Sequence, residues 1–285
     1  MAVRTLDHFL ILVEALAPAA ETYRRLGFHV RPIAEHVSIG SANCVIHLRD
    51  TYLELFFLGR APAALQDAYG PRLAAGPGLT HVALHSDNLE TDIASLTAKG
   101  VPSDEILSAK RRIVRPDGQE DFTASTSVYH WRERHRYLSL FHSVHHRPET
   151  IFIPEYCDHA NSAVDVVRCV FQSEDPALDL GYFTTLFDGP PSDVTLDGFR
   201  FVGPRGEVSE VITPTAARAR YGDAMPAPGL AGLGALPLAL HYQAGSMSRC
   251  EQHLRGEGFD VSHHGSALVV SAAQACGVVT VFQPA

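Results

Sequence analysis

Two histidines hold matching places in a stretch that occurs twice. Leu6-Asp7-His8-Phe9-Leu10-Ile11-Leu12-Val13 and Leu79-Thr80-His81-Val82-Ala83-Leu84-His85 each set a histidine near the head of an apolar, strand-like run. In each copy a helical segment follows and ends in a glycine, and His8 to Gly27 and His81 to Gly100 are both nineteen-residue steps. A carboxylate, Glu54, lies inside a third apolar run, Thr51-Tyr52-Leu53-Glu54-Leu55-Phe56-Phe57. Burying it unpaired would be expensive, and a metal ion would offset that cost. Two neutral imidazoles and one carboxylate form a facial donor set with open positions on an octahedral ion, which suits Fe(II) binding an oxygenated substrate and O2. Four donors including two carboxylates would suit Zn, Ni or Mn as a Lewis acid on a carbonyl. The plainer readings are a core histidine with a hydrogen-bond partner, and for Glu54 an arginine salt bridge or an outward-facing position.

The elements that must position these residues repeat four times. Leu6 to Val13 reads as a buried strand. Pro18 suits the start of a helix that Gly27 ends, Phe28-His29-Val30 reads as a short strand, and strands follow at 36–40, 43–48 and 51–58. Arg60 to Pro77 reads as a linker or short surface helix. The second unit begins at Gly78, with Asp87 or Asn88 capping a helix that ends at Gly100. Phe122–Trp131 and Arg136–His145 then read as an antiparallel pair. The basic run Lys110 to Arg115 reads as a solvated loop or edge strand. After a Pro-rich connector the pattern recurs from Val164 and again from Leu236, with Ala216 to Gly234 as a linker. Internal repetition is the strongest architectural signal.

Leu6-Asp7-His8, Arg25-Leu26-Gly27-Phe28, Thr51-Tyr52-Leu53-Glu54-Leu55 and Pro154-Glu155-Tyr156-x-x-His159-Ala160-Asn161-Ser162-Ala163 together resemble the vicinal oxygen chelate superfamily, and more narrowly its bacterial glyoxalase-like domain proteins. The resemblance covers essentially the whole chain. It implies an α+β fold of four βαβββ modules, paired into two half-open β-barrel domains over 1–150 and 151–285. It implies a divalent metal held by His8, Glu54 and His81. The fourth place departs from a glyoxalase-type site. Matching Tyr137-Leu138-Ser139-Leu140-Phe141 to Tyr52-Leu53-Glu54-Leu55-Phe56 puts Ser139, a poor ligand, where a second glutamate is expected. His145 shares the strand parity of Ser139 and is the candidate fourth ligand or general acid–base, while His142 faces the other way. His130, His135, His142, His145 and His146 crowd the same two strands, with His135 and His146 read as solvated. Tyr137, Phe56, Phe141 and Trp131 are candidate pocket walls, and Tyr137 a candidate catalytic residue. Arg168 and Leu238 fall near the histidine positions of the second half, which carries Glu210 and His241 without a full ligand set.

The favoured expectation is Fe(II)/O2 dioxygenase-like chemistry on a small oxygenated molecule, aromatic compounds included. The alternatives are a glyoxalase-like isomerase or lyase with Zn, Ni or Mn, and a metal-free binding protein that sequesters a toxic compound. A net charge of -9 over 285 residues disfavours nucleic acid and anionic membrane as partners. Five scattered cysteines and no signal-like start give the expectation of a cytoplasmic protein without a disulfide framework. A homodimer is compatible with the sequence. No Gly-rich phosphate loop or nucleophile elbow is present.

Overall fold

A computed structural model of the chain describes residues 3–36, 40–61, 63–130, 132–135, 138–227 and 234–285. Tyr137, Trp131 and the Val37–Ile39 part of the expected strand lie outside the described residues. The first module is β1 (Leu6–Leu12), α1 (Leu16–Arg25), β2 (Ala34–Glu35), β3 (Ala42–His47) and β4 (Tyr52–Phe57). Helix α2 (Ala63–Ala74) leads to the second: β5 (Gly78–His85), α3 (Leu89–Ala98), β6 (Leu107–Val114), β7 (Glu120–Tyr129) and β8 (Ser139–His145). The third is β9 (Ala163–Gln172), α4 (Pro176–Leu186), β10 (Asp193–Thr195), β11 (Gly198–Val202) and β12 (Val208–Ile212). Helix α5 (Pro214–Tyr221) precedes the fourth: β13 (Leu236–Ala244), α6 (Met247–Gly256), β14 (Val261–His264), β15 (Ala267–Val270) and β16 (Val279–Pro284). This is βαβββ four times.

Modules pair in order. One eight-stranded sheet runs β2-β3-β4-β1-β5-β8-β7-β6 and the other β10-β11-β12-β9-β13-β16-β15-β14. In each, the two first strands lie antiparallel at the centre, and each is flanked by its own module's last strand in parallel. The outer strands β2 and β6 of the first sheet approach each other, so it curls into a half-open barrel. Every residue of β1 is buried, as its unbroken apolar run requires of a strand covered on both faces. One large core packs the convex faces of both sheets around helices α1, α3, α4 and α6. The concave faces carry separate clusters, including Leu10, Leu12, Phe56, Tyr69, Ala83 and Phe141 in the first barrel.

The halves are locked together. Lys99 of the first half donates to Asp188 of the second at 2.8 Å, and the Arg4 amide donates to the Phe187 carbonyl at 3.0 Å. Gly277 has φ +82, and a Cβ there would lie 2.0 Å from the Pro77 carbonyl oxygen, so only glycine permits this approach. Asn88 caps α3, accepting from the Thr91 amide at 3.0 Å.

Three expectations change. Phe28-His29-Val30 forms no strand, and the short β2 comes four residues later. The two linkers contain α2 and α5, and α2 is more than a surface helix, because Tyr69 is buried. The basic run is edge strand β6, in which Lys110 and Arg112 are exposed while Arg111 turns inward. All five cysteines are free. Among the described residues no helix is long and apolar enough to cross a membrane.

Six buried histidines are held neutral, chiefly by burial: His47, His81, His130 and His142 are pushed down to about 3, and His159 and His241 to about 4. Each binds its proton more weakly folded than unfolded. Its stabilising contribution is therefore present above the unfolded value near 6.5 and is lost as pH falls toward 3 to 4. Denaturant unfolding at pH 7 and pH 5 should show a loss of about 1–2 kcal/mol per such histidine, with net proton uptake on unfolding. Equal stability at the two pH values would show that these imidazoles are not buried neutral.

Candidate metal centre

The site begins with an irregularity in β1. Leu6 pairs with Leu84, but Phe9 pairs with Val82, so one extra residue is accommodated at Asp7–His8. Regular alternation would send these two side chains to opposite faces, and a bulge re-aims one of them. Asp7 and His8 consequently meet: His8 Nδ1 donates to Asp7 Oδ1 at 2.5 Å. His145, from the end of β8, donates through Nε2 to the same oxygen at 2.8 Å. His85, from the end of β5, approaches Asp7 Oδ2 at 3.4 Å. The strand start is held from the other half, where Glu207 accepts from the Leu6 amide and Arg205 donates to the Leu6 carbonyl.

Asp7 is only 3% exposed. Burial by itself would raise its pKa, but hydrogen bonds from His145, His8 and His85 outweigh that and hold it well below the usual carboxylate range. The same contact with Asp7 is the main reason the His85 pKa is raised. The Tyr52 ring stacks on His8 at 4.4 Å, and Phe141 meets it edge-on at 5.2 Å.

Donor atoms of Asp7, His8 and His145 all lie within 4.8 Å of one another, the one such group of three among the described residues. Neighbouring donors on an octahedral ion with bonds near 2.1 Å stand about 3 Å apart. The observed 2.5 and 2.8 Å separations need only a few tenths of an ångström of widening. His145 Nδ1 is buried without a hydrogen-bond partner, so that side of the ring does not dictate its tautomer. Two imidazoles and a carboxylate therefore fit a divalent ion in number, type and spacing.

Of the residues expected from the sequence, His8 and His145 come together here, and Glu54 and His81 lie outside the cluster. His81, 1% exposed, has its Nε2 2.8 Å from the Tyr69 hydroxyl and stacks on that ring. Burial, then repulsion from His8, lowers its pKa to about 3. Tyr69 also bonds to Tyr129, and burial raises both phenols, keeping them protonated. Half-buried Glu54 accepts from Asn43 Nδ2 at 3.1 Å, and Asn43 also meets His36 at 3.3 Å. His8 and His81 both touch Phe141, so the two groups of side chains occupy adjacent levels of one concave face.

The ladders correct the expected motif match. Tyr52 pairs with His8, and Ser139 pairs with His81. Ser139 therefore corresponds to Tyr52, and the counterpart of Glu54 is Phe141, two residues further on and 1% exposed. The fourth glyoxalase-type place is filled by an apolar ring. His142 does face away, bonded to His130 and the Leu186 carbonyl. His135 is not solvated as expected: it is 3% exposed and bonded to Asp179 at 2.9 Å.

The second barrel answers the same positions differently. Val208 pairs with Arg168 and Glu210 with Val170, so Arg168 stands in the place of His8 and Glu210 in that of Glu54. Val170 pairs with Ala239, one residue past the expected Leu238, in the place of His81. Glu210 is held by Arg168 at 2.9 Å and by Arg220. His241 keeps a tyrosine partner, Tyr221, at 2.8 Å. An ion pair occupies this barrel where the first has donors.

Strand parity alone places Asp7 on the face opposite His8, so the sequence does not mark it as a ligand. Tyr69 was hidden in a helix interrupted by Pro71. A cluster of histidines at strand ends beside an Asp-His pair was the available signal for the first.

A family model described as a glyoxalase-like domain matches residues 6–184. No curated protein matches the chain. Among solved structures it is similar to a hypothetical protein from Staphylococcus aureus, at TM-score 0.66 and 9% identity, covering 98% of this chain and 99% of that one. It is similar to a mutant 4-hydroxymandelate synthase from Streptomyces coelicolor, at TM-score 0.60 and 10% identity over 99% and 92%. A xylose isomerase-like TIM barrel/4-hydroxyphenylpyruvate dioxygenase fusion protein also matches, at 0.54 and 12% over 99% of this chain and 49% of that one. At these identities the likeness is one of fold.

If Asp7 is what raises His85, Asp7→Asn should lower the His85 pKa, read by NMR titration of the imidazole resonances. A His85 titration unchanged in the variant would contradict the shared-carboxylate arrangement.

Proposed function

The chain belongs to the glyoxalase-like domain family, and from that premise we propose that its first barrel is a divalent-metal enzyme site of the vicinal oxygen chelate type, acting on a small oxygenated molecule. One observation carries the reading: a single oxygen of buried Asp7 is shared by imidazoles arriving from β1 and β8. Asp7, His8 and His145 would hold the ion, in place of the His8, Glu54 and His81 set that the resemblance implies. Bound there, Fe(II) would supply O2 chemistry, since two imidazoles and one carboxylate leave coordination positions open. The fold likeness to a 4-hydroxymandelate synthase and a 4-hydroxyphenylpyruvate dioxygenase fusion supports that direction over a Zn, Ni or Mn Lewis acid.

The chain's own groups have distinct tasks in this reading. Tyr52 and Phe141 cover His8 and exclude water from the cluster. Of the linked Tyr69 and Tyr129 phenols, kept protonated by burial, one O–H can be donated to a ligand oxygen when His81 Nε2 donates to Tyr69. Glu54 is the carboxylate available to take a proton, oriented by Asn43. His81, held neutral, keeps an imidazole beside it. Tyr137 remains a proposed wall of the pocket. The partner is a small molecule, and neither nucleic acid nor membrane is needed.

Protein purified without chelator and supplied with Fe(II) should carry about one metal per chain by mass spectrometry. Asp7→Ala and His145→Ala should each reduce that occupancy at least tenfold, while His81→Ala should leave most of it. Oxygen uptake during turnover separates the Fe(II) reading from Lewis-acid chemistry. A metal-free binding protein is the second reading, favoured by His8 and His81 each meeting a protein partner. It requires ligand binding that chelators do not change, together with no stoichiometric metal in the supplied protein, and that pair of results would overturn the metal proposal.

A further inference from the structure

A second cavity opens where the barrel's two edges meet, between β2, the end of β6 and the connector after β8. Its volume is about 290 Å3, near the low end of small-molecule pockets, roughly 300 Å3. Arg111, Arg31 and His47 supply its polar wall, and Ile33, Ile153 and Tyr156 are prominent in its apolar wall.

Arg111 is the unusual member. It is 7% exposed, yet among the described residues its guanidinium makes one long hydrogen bond, to the Pro32 carbonyl at 3.5 Å, and its Nε is buried with no partner. Glu54 is the strongest negative influence on it, but that carboxylate is bonded to Asn43 rather than to the arginine. A buried guanidinium left unpaired is costly, so such groups are normally matched by an anion. Arg31 lies beside it, its guanidinium 3.4 Å from the Tyr156 ring centroid and bonded to the Val114 carbonyl. Arg31 adds to burial in lowering the Arg111 pKa, and both cations add to burial in repelling a proton from His47. His47 donates through Nδ1 to the Ile151 carbonyl, which leaves Nε2 as an acceptor. The one carboxylate on the cavity wall, Glu35, is exposed. Ile33 and Val114 are exposed at 50% and 46%, large apolar side chains at the rim with nothing over them.

We propose that this cavity is a binding site for a small organic carboxylate, its anion held by Arg111 and Arg31 and its apolar body against Tyr156 and the isoleucines. A planar guanidinium suits a two-oxygen anion, which it can meet with two parallel hydrogen bonds. A ligand hydroxyl would find its acceptor in His47 Nε2. Glu54 is in electrostatic contact with Arg111, and the site does not depend on a metal being bound.

Calorimetric titration of the full chain with benzoate, its neutral isostere benzamide and inorganic phosphate tests this. Benzoate should bind, benzamide at least tenfold more weakly, and phosphate more weakly than benzoate. Arg111→Gln should weaken benzoate at least tenfold, with Arg111→Lys recovering only part. Arg31→Gln, a change at the half-exposed rim, should weaken it severalfold and keeps the test decisive if the buried variant fails to fold. Asp7→Asn and added chelator should leave benzoate binding unchanged, which separates this site from the metal proposal. Equal binding of benzoate and benzamide, or benzoate binding unaffected in Arg31→Gln, would overturn the proposal. Phosphate binding as tight as benzoate would overturn the choice of an organic carboxylate.

Discussion

An ionised carboxylate in the floor of a barrel is the constraint on which the first half of the molecule turns. Asp7 is 3% exposed and remains charged because three imidazole N–H groups surround it. No local segment can supply them. His8 is its chain neighbour and needs the bulge; His85 and His145 come from the ends of β5 and β8, which belong to the next module. The cluster therefore exists only when modules one and two pair into one sheet. Specificity of pairing and construction of the site are the same event.

The second half meets the same demand by other means. Its Glu210 is equally a carboxylate on the concave face of a barrel, but Arg168 and Arg220 close on it. A guanidinium pair satisfies the charge fully and leaves no donor for a ligand. In the first barrel an imidazole, His8, stands where Arg168 stands in the second, and an imidazole can exchange a hydrogen bond for a metal. The two barrels share one fold and one core, while only one keeps groups whose partners can be replaced.

Much of this was legible in the residues. The equal steps from His8 to Gly27 and His81 to Gly100, and the apolar runs around them, marked the repeat that became two eight-stranded sheets. Asp87-Asn88 marked the helix start, where Asn88 is the cap, and His145 shares the strand parity of Ser139. The bulge at Asp7 was not legible, because it is a property of the ladder between two strands and leaves no mark on composition. The match of Tyr-Leu-Ser to Tyr-Leu-Glu gave the right parity and a register wrong by two, since alternation repeats every two residues and cannot tell one such slip from the next. Arg111 was read as one charge in a solvated run; that it alone turns inward depends on where β6 begins.

The most direct test of the central claim is an anomalous-difference map from crystals soaked with Mn(II). The account requires a single strong peak bonded to the Asp7 carboxylate and to the His8 and His145 rings, at about 2.0–2.3 Å. A peak held instead between His8, His81 and Glu54, or none in the first barrel at full soaking, would contradict it.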